Sequence, residues 1–171
     1  MEALLRRHHD RIHALCRRLA GDPTDALDAT QEALLAIVRG LPSFDGRAAF
    51  TTWSYRVATN ACLDEIRRRR RRRTEELPDE IDAGTLDGTP GVDDVVTARL
   101  DIDAALQDVP IEFRAAVVLR DLCGLDYAEI ADVLGVPPGT VRSRIARGRA
   151  SIARRLTGNQ TTASDRLNPS P

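Results

Sequence analysis

Apolar residues recur every three or four positions through most of the chain, which is the spacing of one buried face of an α-helix. The first stretch with this spacing covers roughly Glu2–Ala20 and stops at the Gly-Asp-Pro sequence of 21–23. A second runs from near Thr24 to about Gly40, and a third begins near Phe50 and continues into a run of arginines. The pattern predicts three helices in the N-terminal part of the chain.

The same spacing returns in the second half and predicts about four more helices. They are expected at Val96–Gln107, after Pro110, from Asp126, and from about Pro138 to Leu156. Asp126 and Glu129 have the spacing of a capping box, which marks a helix start. A Gly-Val-Pro sequence at 135–137 separates the last two helices.

Residues 74–97 interrupt this pattern. They contain 8 acidic residues, no basic one and several Gly and Pro residues, which is typical of a linker. We therefore predict an all-α fold of two small helical domains, residues 1–73 with three helices and 98–157 with four, joined by an acidic flexible linker. The tail, 158–171, is rich in Thr, Ser, Asn and Pro and is predicted to be disordered.

The net charge of −1 hides a strong segregation of charge. Residues 1–73 hold 15 Arg against 9 acidic residues, and 98–171 hold 10 Arg against 9. Seven of the arginines are consecutive, Arg67–Arg73, and the chain has no Lys. Seven adjacent cations repel one another and favour a polyanionic partner.

Several functional classes are excluded or disfavoured. There is no apolar run of membrane-spanning length and no signal-peptide pattern, and the three cysteines lie far apart, so we expect a cytoplasmic protein without membrane contact. No catalytic motif is present, so neither an enzyme nor a cofactor is predicted. His9, His13 and Cys16 share one helix face and suit zinc. The favoured interpretation is that these three side chains form a partly buried stripe facing the second helix, so no metal site is predicted.

Residues 126–156 predict a helix-turn-helix unit, whose second helix normally enters the DNA major groove. On that helix Arg142, Ser143, Ala146 and Arg147 share the face opposite the apolar stripe, and an Arg there can pair with guanine. Arg144 and Thr140 suit phosphate contacts. A basic solvated helix in an ordinary bundle is the simpler alternative, but the complete motif around it is more specific.

That motif resembles the sigma-70 family, in particular its extracytoplasmic-function (ECF) group. The segments Tyr127–Ala131, Leu134–Val136 and Gly139–Arg144 are similar to the family's region four. Asp28–Ala33 resembles the polymerase-binding helix of region two. Phe44, Phe50–Arg56, Asn60 and Asp64 resemble its promoter-melting segment.

The resemblance implies a transcription initiation factor. Region two would bind the largest subunit of core RNA polymerase through a polar helix face with one solvent-facing leucine: Asp28, Gln31, Glu32 and Leu35. Region two would also bind the minus-ten promoter element, through Phe44, Phe50, Thr52, Trp53, Arg56, Asn60, Arg67 and Arg68. The loop 44–49 would hold a flipped base. The Trp53 side chain is expected to lie either in the core or at the edge of the pocket for that base.

Region four would bind the second-largest subunit and the minus-thirty-five element, through Thr140, Arg142, Ser143, Arg144, Ala146 and Arg147. The resemblance also implies an anti-sigma partner and a monomer when free. One departure is Leu27, which stands where an acidic residue is common. Two alternatives remain open: a stand-alone helix-turn-helix regulator binding operator DNA without polymerase, and a protein that sequesters another regulator.

Overall fold

The computed structural model describes residues 2–75 and 94–167, and every regular element in these two ranges is helical. The seven α-helices found there are α1 (Glu2–Ala20), α2 (Pro23–Gly40), α3 (Phe50–Glu75), α4 (Asp94–Gln107), α5 (Ile111–Asp121), α6 (Tyr127–Leu134) and α7 (Pro138–Leu167). A short 3-10 turn, Leu41–Ser43, follows α2. The all-α prediction, with three helices in the first part of the chain and four in the second, is confirmed.

The N-terminal domain, residues 2–75, is a bundle of α1, α2 and α3. The predicted stop after Ala20 is where α1 ends, but the chain turns and starts α2 at once. Gly21 makes this turn with a φ of +88°, and the Asp22 carboxylate accepts hydrogen bonds from the backbone N–H of Thr24 (2.8 Å) and Asp25 (3.0 Å). An Asp at this position satisfies the first free donors of a helix. Side chains from all three helices fill the core, among them Ile12, Leu15, Leu19, Ala29, Ala33, Ile37, Ala58 and Cys62.

The C-terminal domain, residues 94–167, places α4, α5 and α6 against the long helix α7. Its core contains Leu106, Val109, Ala116, Leu119, Ile130, Val141 and Ile145. Helices α5 and α7 approach each other closely at Gly148, where an added Cβ would lie 2.5 Å from Val117 Cγ2 and 3.1 Å from the Phe113 carbonyl oxygen. The packing of these two helices therefore requires a residue without a side chain.

Helix α7 runs to Leu167, past its predicted end near Leu156. It includes most of the tail that the sequence predicted to be disordered. A helix that is already formed extends without a new nucleation step, and the stretch from Thr157 to Leu167 contains no proline. The four residues after Leu167 lie outside the described range.

The predicted linker also falls largely outside the described residues. Helix α3 continues to Glu75 and α4 begins at Asp94, so 76–93 is the undescribed part of 74–97. Its proposed flexibility stays a prediction.

The two domains lie against each other. Helix α1 contacts α4 and α5, and α3 contacts α6. The buried side chain of Arg114 in α5 donates to the carbonyl oxygen of Leu19 at the end of α1 (2.8 Å) and to that of Gln107 in its own domain (2.7 Å). Gln107 Nε2 in turn donates to the Arg18 carbonyl oxygen (3.3 Å). The end of α1 is thus tied to the C-terminal domain.

Candidate nucleic-acid and polymerase interfaces

The helix-turn-helix unit is built by α6, a glycine turn and α7. The Asp126 carboxylate accepts from the Glu129 backbone N–H (2.8 Å), and Glu129 Oε2 accepts from the Asp126 N–H (2.9 Å), so the predicted capping box is confirmed. Gly135 ends α6 with a φ of +62°, in the left-handed region that favours glycine. Ile130 of α6 and Val141 and Ile145 of α7 are buried between the helices.

The predicted base-reading face of α7 is open to solvent. Arg142, Ser143, Ala146 and Arg147 are all exposed, whereas Thr140 and Arg144 are half-buried. The Arg142 guanidinium lies 5.8 Å from the Tyr127 ring centre, and that of Arg147 lies 5.9 Å from the ring of Phe113. Such contacts orient an arginine at modest energetic gain. The structure brings the four face residues together and turns Arg144 toward the N-terminal domain.

The predicted polymerase-binding residues also form one exposed patch, on α2. Asp28, Gln31, Glu32 and Leu35 all face solvent. This patch also contains two exposed leucines, Leu27 and Leu35, with exposed fractions of 62% and 40%. Asp28 is not free, since Arg69 of α3 pairs with it and with Asp25. Glu32 lies at the edge of a cavity of about 610 Å³ between α2 and α3, which Arg68, Arg71 and Arg72 also line.

The loop before α3 carries an aromatic cluster. The ring centres of Phe44 and Phe50 lie 5.7 Å apart, and each lies within 5.5 Å of the Trp53 indole. Trp53 packs under Gly40, where an added Cβ would lie 3.1 Å from the indole. The indole also lines a cavity of about 300 Å³ together with Phe44, Thr52 and Arg56. Trp53 is therefore both core and pocket edge. We call this cavity, between the loop 44–48 and the start of α3, the loop pocket.

Farther along α3, the predicted DNA-binding residues are exposed but not all unpaired. Arg56, Asn60, Arg67 and Arg68 are exposed. Arg67 Nη1 lies 2.9 Å from Asp64 Oδ1, and Arg68 pairs with the buried carboxylate of Glu65. Glu65 Oε1 also accepts from Arg69 Nε (3.0 Å), and this hydrogen bond holds the pKa of Arg69 above its ordinary value. Part of the arginine run is thus neutralised within the domain.

Comparison with known families matches both halves of the chain. Residues 4–72 match the model of Sigma-70 region 2, and residues 99–152 match that of Sigma-70, region 4. The ECF RNA polymerase sigma factor SigM of Mycobacterium tuberculosis is 41% identical over 155 residues, which cover 91% of this chain and 76% of that protein. The chain belongs to the ECF group of the sigma-70 family.

Another relative agrees with this assignment, and a solved structure shares the fold. The ECF RNA polymerase sigma factor SigE of Mycolicibacterium smegmatis is 43% identical over 153 residues, which cover 88% of this sigma factor and 59% of that protein. This chain therefore spans about three fifths of the length of that relative. The fold is similar to that of the sigma factor RpoE in its complex with the anti-sigma factor NepR from Bartonella quintana, with a TM-score of 0.76, 22% identity, and coverage of 91% and 96% of the two chains.

All predicted DNA and polymerase contacts of this sigma factor lie inside the two matched regions. Those on α2, the loop and α3 fall in region 2, and those on α7 fall in region 4. The packing of the two regions against each other was missed, because no local sequence pattern signals it. The role of Gly148 was missed too, although a glycine inside a helical stretch is a recognisable signal of close packing.

Two cysteines and one histidine of the sigma factor are buried in the structure, Cys16, Cys62 and His8, whereas His9 is exposed. Cys16 and Cys62 are fully buried, with Cys62 Sγ 4.0 Å from the Cys16 carbonyl oxygen, and burial raises the pKa of Cys123 to about 12. His13 Nδ1 lies 3.1 Å from Thr30 Oγ1. Within 2–75 and 94–167, no cluster of three His, Cys, Asp or Glu side chains is placed to hold a metal ion. No helix in the same ranges has the length and apolarity needed to cross a membrane.

Proposed function

We propose that this sigma factor binds core RNA polymerase and reads a promoter at two places. The face of α7 reads duplex DNA at the minus-thirty-five element, and the loop pocket with α3 reads separated DNA at the minus-ten element. The exposed face of Arg142, Ser143, Ala146 and Arg147 on a correctly capped helix-turn-helix carries this proposal.

The α7 face suits the major groove because two arginines flank two small side chains. A bidentate contact from arginine to guanine contributes about 1–3 kcal/mol of discrimination. Ser143 and Ala146 between them allow close approach to the base edges. Thr140, at the first turn of α7, is placed for a phosphate at the helix N-terminus.

The loop pocket and α3 suit single-stranded DNA. The aromatic cluster of Phe44, Phe50 and Trp53 offers apolar surface beside the pocket, while Arg56 and Asn60 offer charge and hydrogen bonds. Unstacked bases bind proteins through such combinations of aromatic, amide and cationic groups. We assign promoter melting to this surface.

The exposed patch on α2 is proposed to dock on the largest polymerase subunit. Glu32 and Gln31 supply polar contacts there, and the exposed side chains of Leu27 and Leu35 supply apolar area. An apolar contact within a polar rim is typical of protein interfaces. The apolar Leu27 replaces the acidic group common in the family, so this docking relies less on charge. The C-terminal domain is proposed to contact the second-largest subunit.

We also propose that a dedicated anti-sigma factor holds this protein inactive. The structurally similar RpoE of Bartonella quintana forms such a complex. The sigma factor would act as a monomer in the cytoplasm, where polymerase is found, and would itself catalyse no reaction. A stand-alone operator-binding regulator is not favoured, because it leaves the region 2 half of the chain without a role.

The decisive experiment is reconstitution with sigma-free core polymerase. Holoenzyme assembled with the full chain should give specific transcripts from promoters selected out of a random DNA library. The free protein should bind the same duplexes only weakly. Tight duplex binding by the free protein, with no transcript from the reconstituted enzyme, would instead support the stand-alone regulator.

A charge reversal tests the polymerase contact. Asp28 and Glu32 make the patch acidic, which suits a basic partner. Glu32→Arg should therefore lower the affinity for core polymerase about tenfold or more, because it places a positive charge opposite that partner. Asp10→Arg, an equal change at a fully exposed position of α1, is the matched control and should bind normally. Equal binding of the two variants would remove α2 from the polymerase interface.

A further inference from the structure

Each of the two arginines on the base-reading face of α7 lies against an aromatic ring from another helix. The guanidinium carbon of Arg142 is 5.8 Å from the centre of the Tyr127 ring in α6. That of Arg147 is 5.9 Å from the centre of the Phe113 ring in α5. The two arginines are therefore supported from different helices, and each has its own ring.

Two other arginines of α7 are held differently, by carboxylates. Arg149 Nε donates to Asp121 Oδ2 over 3.1 Å, and Arg155 Nε lies 3.1 Å from Asp108 Oδ2. Within 2–75 and 94–167, neither arginine of the base-reading face forms an ion pair with a carboxylate. The kind of support thus separates the proposed base-reading arginines from these two neighbours.

The kind of support decides what an arginine can still bind. A carboxylate accepts hydrogen bonds from the guanidinium N–H groups and cancels its charge. An aromatic ring attracts the cation through its face and leaves the N–H donors in the guanidinium plane unused. Those donors are the groups that pair with O6 and N7 of guanine. The ring contacts therefore restrict the motion of Arg142 and Arg147 without using their base-reading groups.

The Tyr127 ring is itself held in place. Tyr127 is the first residue of α6 and directly follows the capping residue Asp126. A second arginine, Arg120 of α5, lies with its guanidinium carbon 5.1 Å from the centre of the same ring. Arg120 Nη1 donates to the carbonyl oxygen of the buried residue Leu125 (2.7 Å). A continuous set of contacts thus runs from the turn before α6, through Arg120 and Tyr127, to Arg142.

We propose that Tyr127 and Phe113 are positioning residues, which hold Arg142 and Arg147 ready to contact bases and so set how sharply α7 distinguishes promoter sequences. This inference rests on the proposed function of the α7 face. Ordering a free arginine side chain on binding costs conformational entropy, and a ring contact removes part of that cost in advance. The gain applies only to DNA with which the arginine pairs, so it is measured as discrimination between sequences.

The test uses holoenzyme reconstituted from the full chain and core polymerase. Its probes are a promoter selected from random DNA and variants of it in which one base pair of the minus-thirty-five element is replaced. The ratio of the two affinities gives the discrimination at each base pair. Tyr127→Leu removes the ring, and Tyr127→Phe is the conservative variant that keeps it. The exposed fraction of Tyr127 is 38%, so neither change opens a cavity in the core.

The inference expects Tyr127→Leu to lower discrimination about two- to fivefold, the value of an exposed cation–ring contact. The loss should occur at the base pair where Arg142→Ala also lowers discrimination, and Tyr127→Phe should restore the wild-type pattern. In the Arg142→Ala background, Tyr127→Leu should have no further effect. The slope of log affinity against log salt should stay the same in Tyr127→Leu, because no charge is lost.

Phe113→Leu gives an independent comparison on the same helix face. It should lower discrimination at a different base pair, the one at which Arg147→Ala acts. Each ring variant is thus the matched control of the other, since the two rings support different arginines. Circular dichroism and urea unfolding verify that both variants are folded.

Three outcomes would overturn the inference. One is an unchanged pattern of discrimination in Tyr127→Leu. Another is an equal loss in Tyr127→Phe, which would assign the effect to the hydroxyl group instead of the ring. The third is a uniform loss at every base pair that persists in the Arg142→Ala background, since a merely structural role of Tyr127 would have this result.

The Arg142→Ala variant separates failure of the inference from failure of the proposed function. If Arg142→Ala lowers discrimination but Tyr127→Leu does not, Arg142 reads a base without help from the ring. If Arg142→Ala itself changes no base preference, both the positioning by Tyr127 and the base reading by Arg142 are wrong.

Discussion

The two base-reading surfaces of this sigma factor differ in their availability. The face of α7 is exposed, with Arg142 and Arg147 directed to solvent over aromatic rings. The loop pocket is built from equally suitable residues but lies under α6 of the other domain. The α7 face is therefore open to a partner in this arrangement, whereas the loop pocket shares its lining with α6.

The largest effect is expected from the packing that supports the open face. Gly148→Ala should lower the free energy of unfolding of the C-terminal domain by about 3 kcal/mol, because the new Cβ collides with Val117 and the Phe113 backbone. Gly139→Ala is the control, since an added Cβ there meets nothing within 4 Å. Urea unfolding of both variants measures the difference, and similar stabilities would disprove the close α5–α7 contact.

The open face itself is tested by Arg147→Ala. Loss of one arginine–guanine contact should reduce holoenzyme selection of its promoter by about 2 kcal/mol, roughly thirtyfold. Arg155→Ala, on the same helix but paired with Asp108 at 3.1 Å, should leave selection unchanged. Footprinting and transcription on the selected promoter provide the measurement. If both variants behaved alike, α7 would contribute charge but no base reading.

The strand-reading surface is tested by Asn60→Ala in the holoenzyme. Removing one hydrogen-bonding side chain should slow promoter melting by about fivefold, equivalent to about 1 kcal/mol. Initial duplex binding should change less, because it depends on α7. Permanganate reactivity of unpaired thymines reports melting, and electrophoretic mobility reports duplex binding. Equal losses in the two assays would contradict the division between the surfaces.

A smaller effect distinguishes two arginines of α3: Arg69, which forms several ion pairs, and Arg72, which forms none with the residues that the structure describes. Arg72→Ala should reduce the slope of log affinity against log salt by about 0.7–0.9, because Arg72 is exposed at the edge of the α2–α3 cavity. Arg69→Ala should instead lower stability, since Arg69 binds Glu65, Asp25 and Asp28. DNA titrations at several salt concentrations compare the two variants. A reduced salt slope for Arg69→Ala, with an unchanged slope for Arg72→Ala, would mean that Arg69 contacts DNA.

The smallest expected effect is a pH dependence of stability, which arises from His8 beside the aromatic cluster. His8 packs against Phe50 with ring centres 5.0 Å apart, and burial, reinforced by Arg11 and Arg7, lowers its pKa. The unfolded chain therefore binds a proton more readily, so stability should fall slightly as the pH drops below about 6.5. Thermal melting of wild type and His8→Gln is measured above and below that pH. The melting temperature should depend less on pH in the variant. An unchanged dependence would assign it to other groups.

Local signals in the sequence predicted the fold and the α7 face. Asp126 with Glu129, the glycine at 135 and the spacing of Val141 and Ile145 define the helix-turn-helix without reference to the rest of the chain. The α2 patch was predicted for the same reason, because its residues share one helix face.

Contacts between distant parts of the chain could not be predicted in this way. Arg69 pairs with Asp25, 44 positions away, and Arg114 binds the Leu19 carbonyl, 95 positions away. Neither residue differs locally from the other arginines. The hydrogen bond from Thr52 to Glu129 is another such contact, and the pairs of Arg69 with Asp25 and Asp28 neutralise part of the arginine run.

The two carboxylate oxygens of Glu129 have separate partners. One accepts from Thr52 across the domain boundary, and the other accepts from the Asp126 N–H at the start of α6. Breaking the first contact leaves the second intact. The capping of α6 therefore does not depend on the domain contact, so the first turn of α6 stays stabilised whether or not Thr52 is bound.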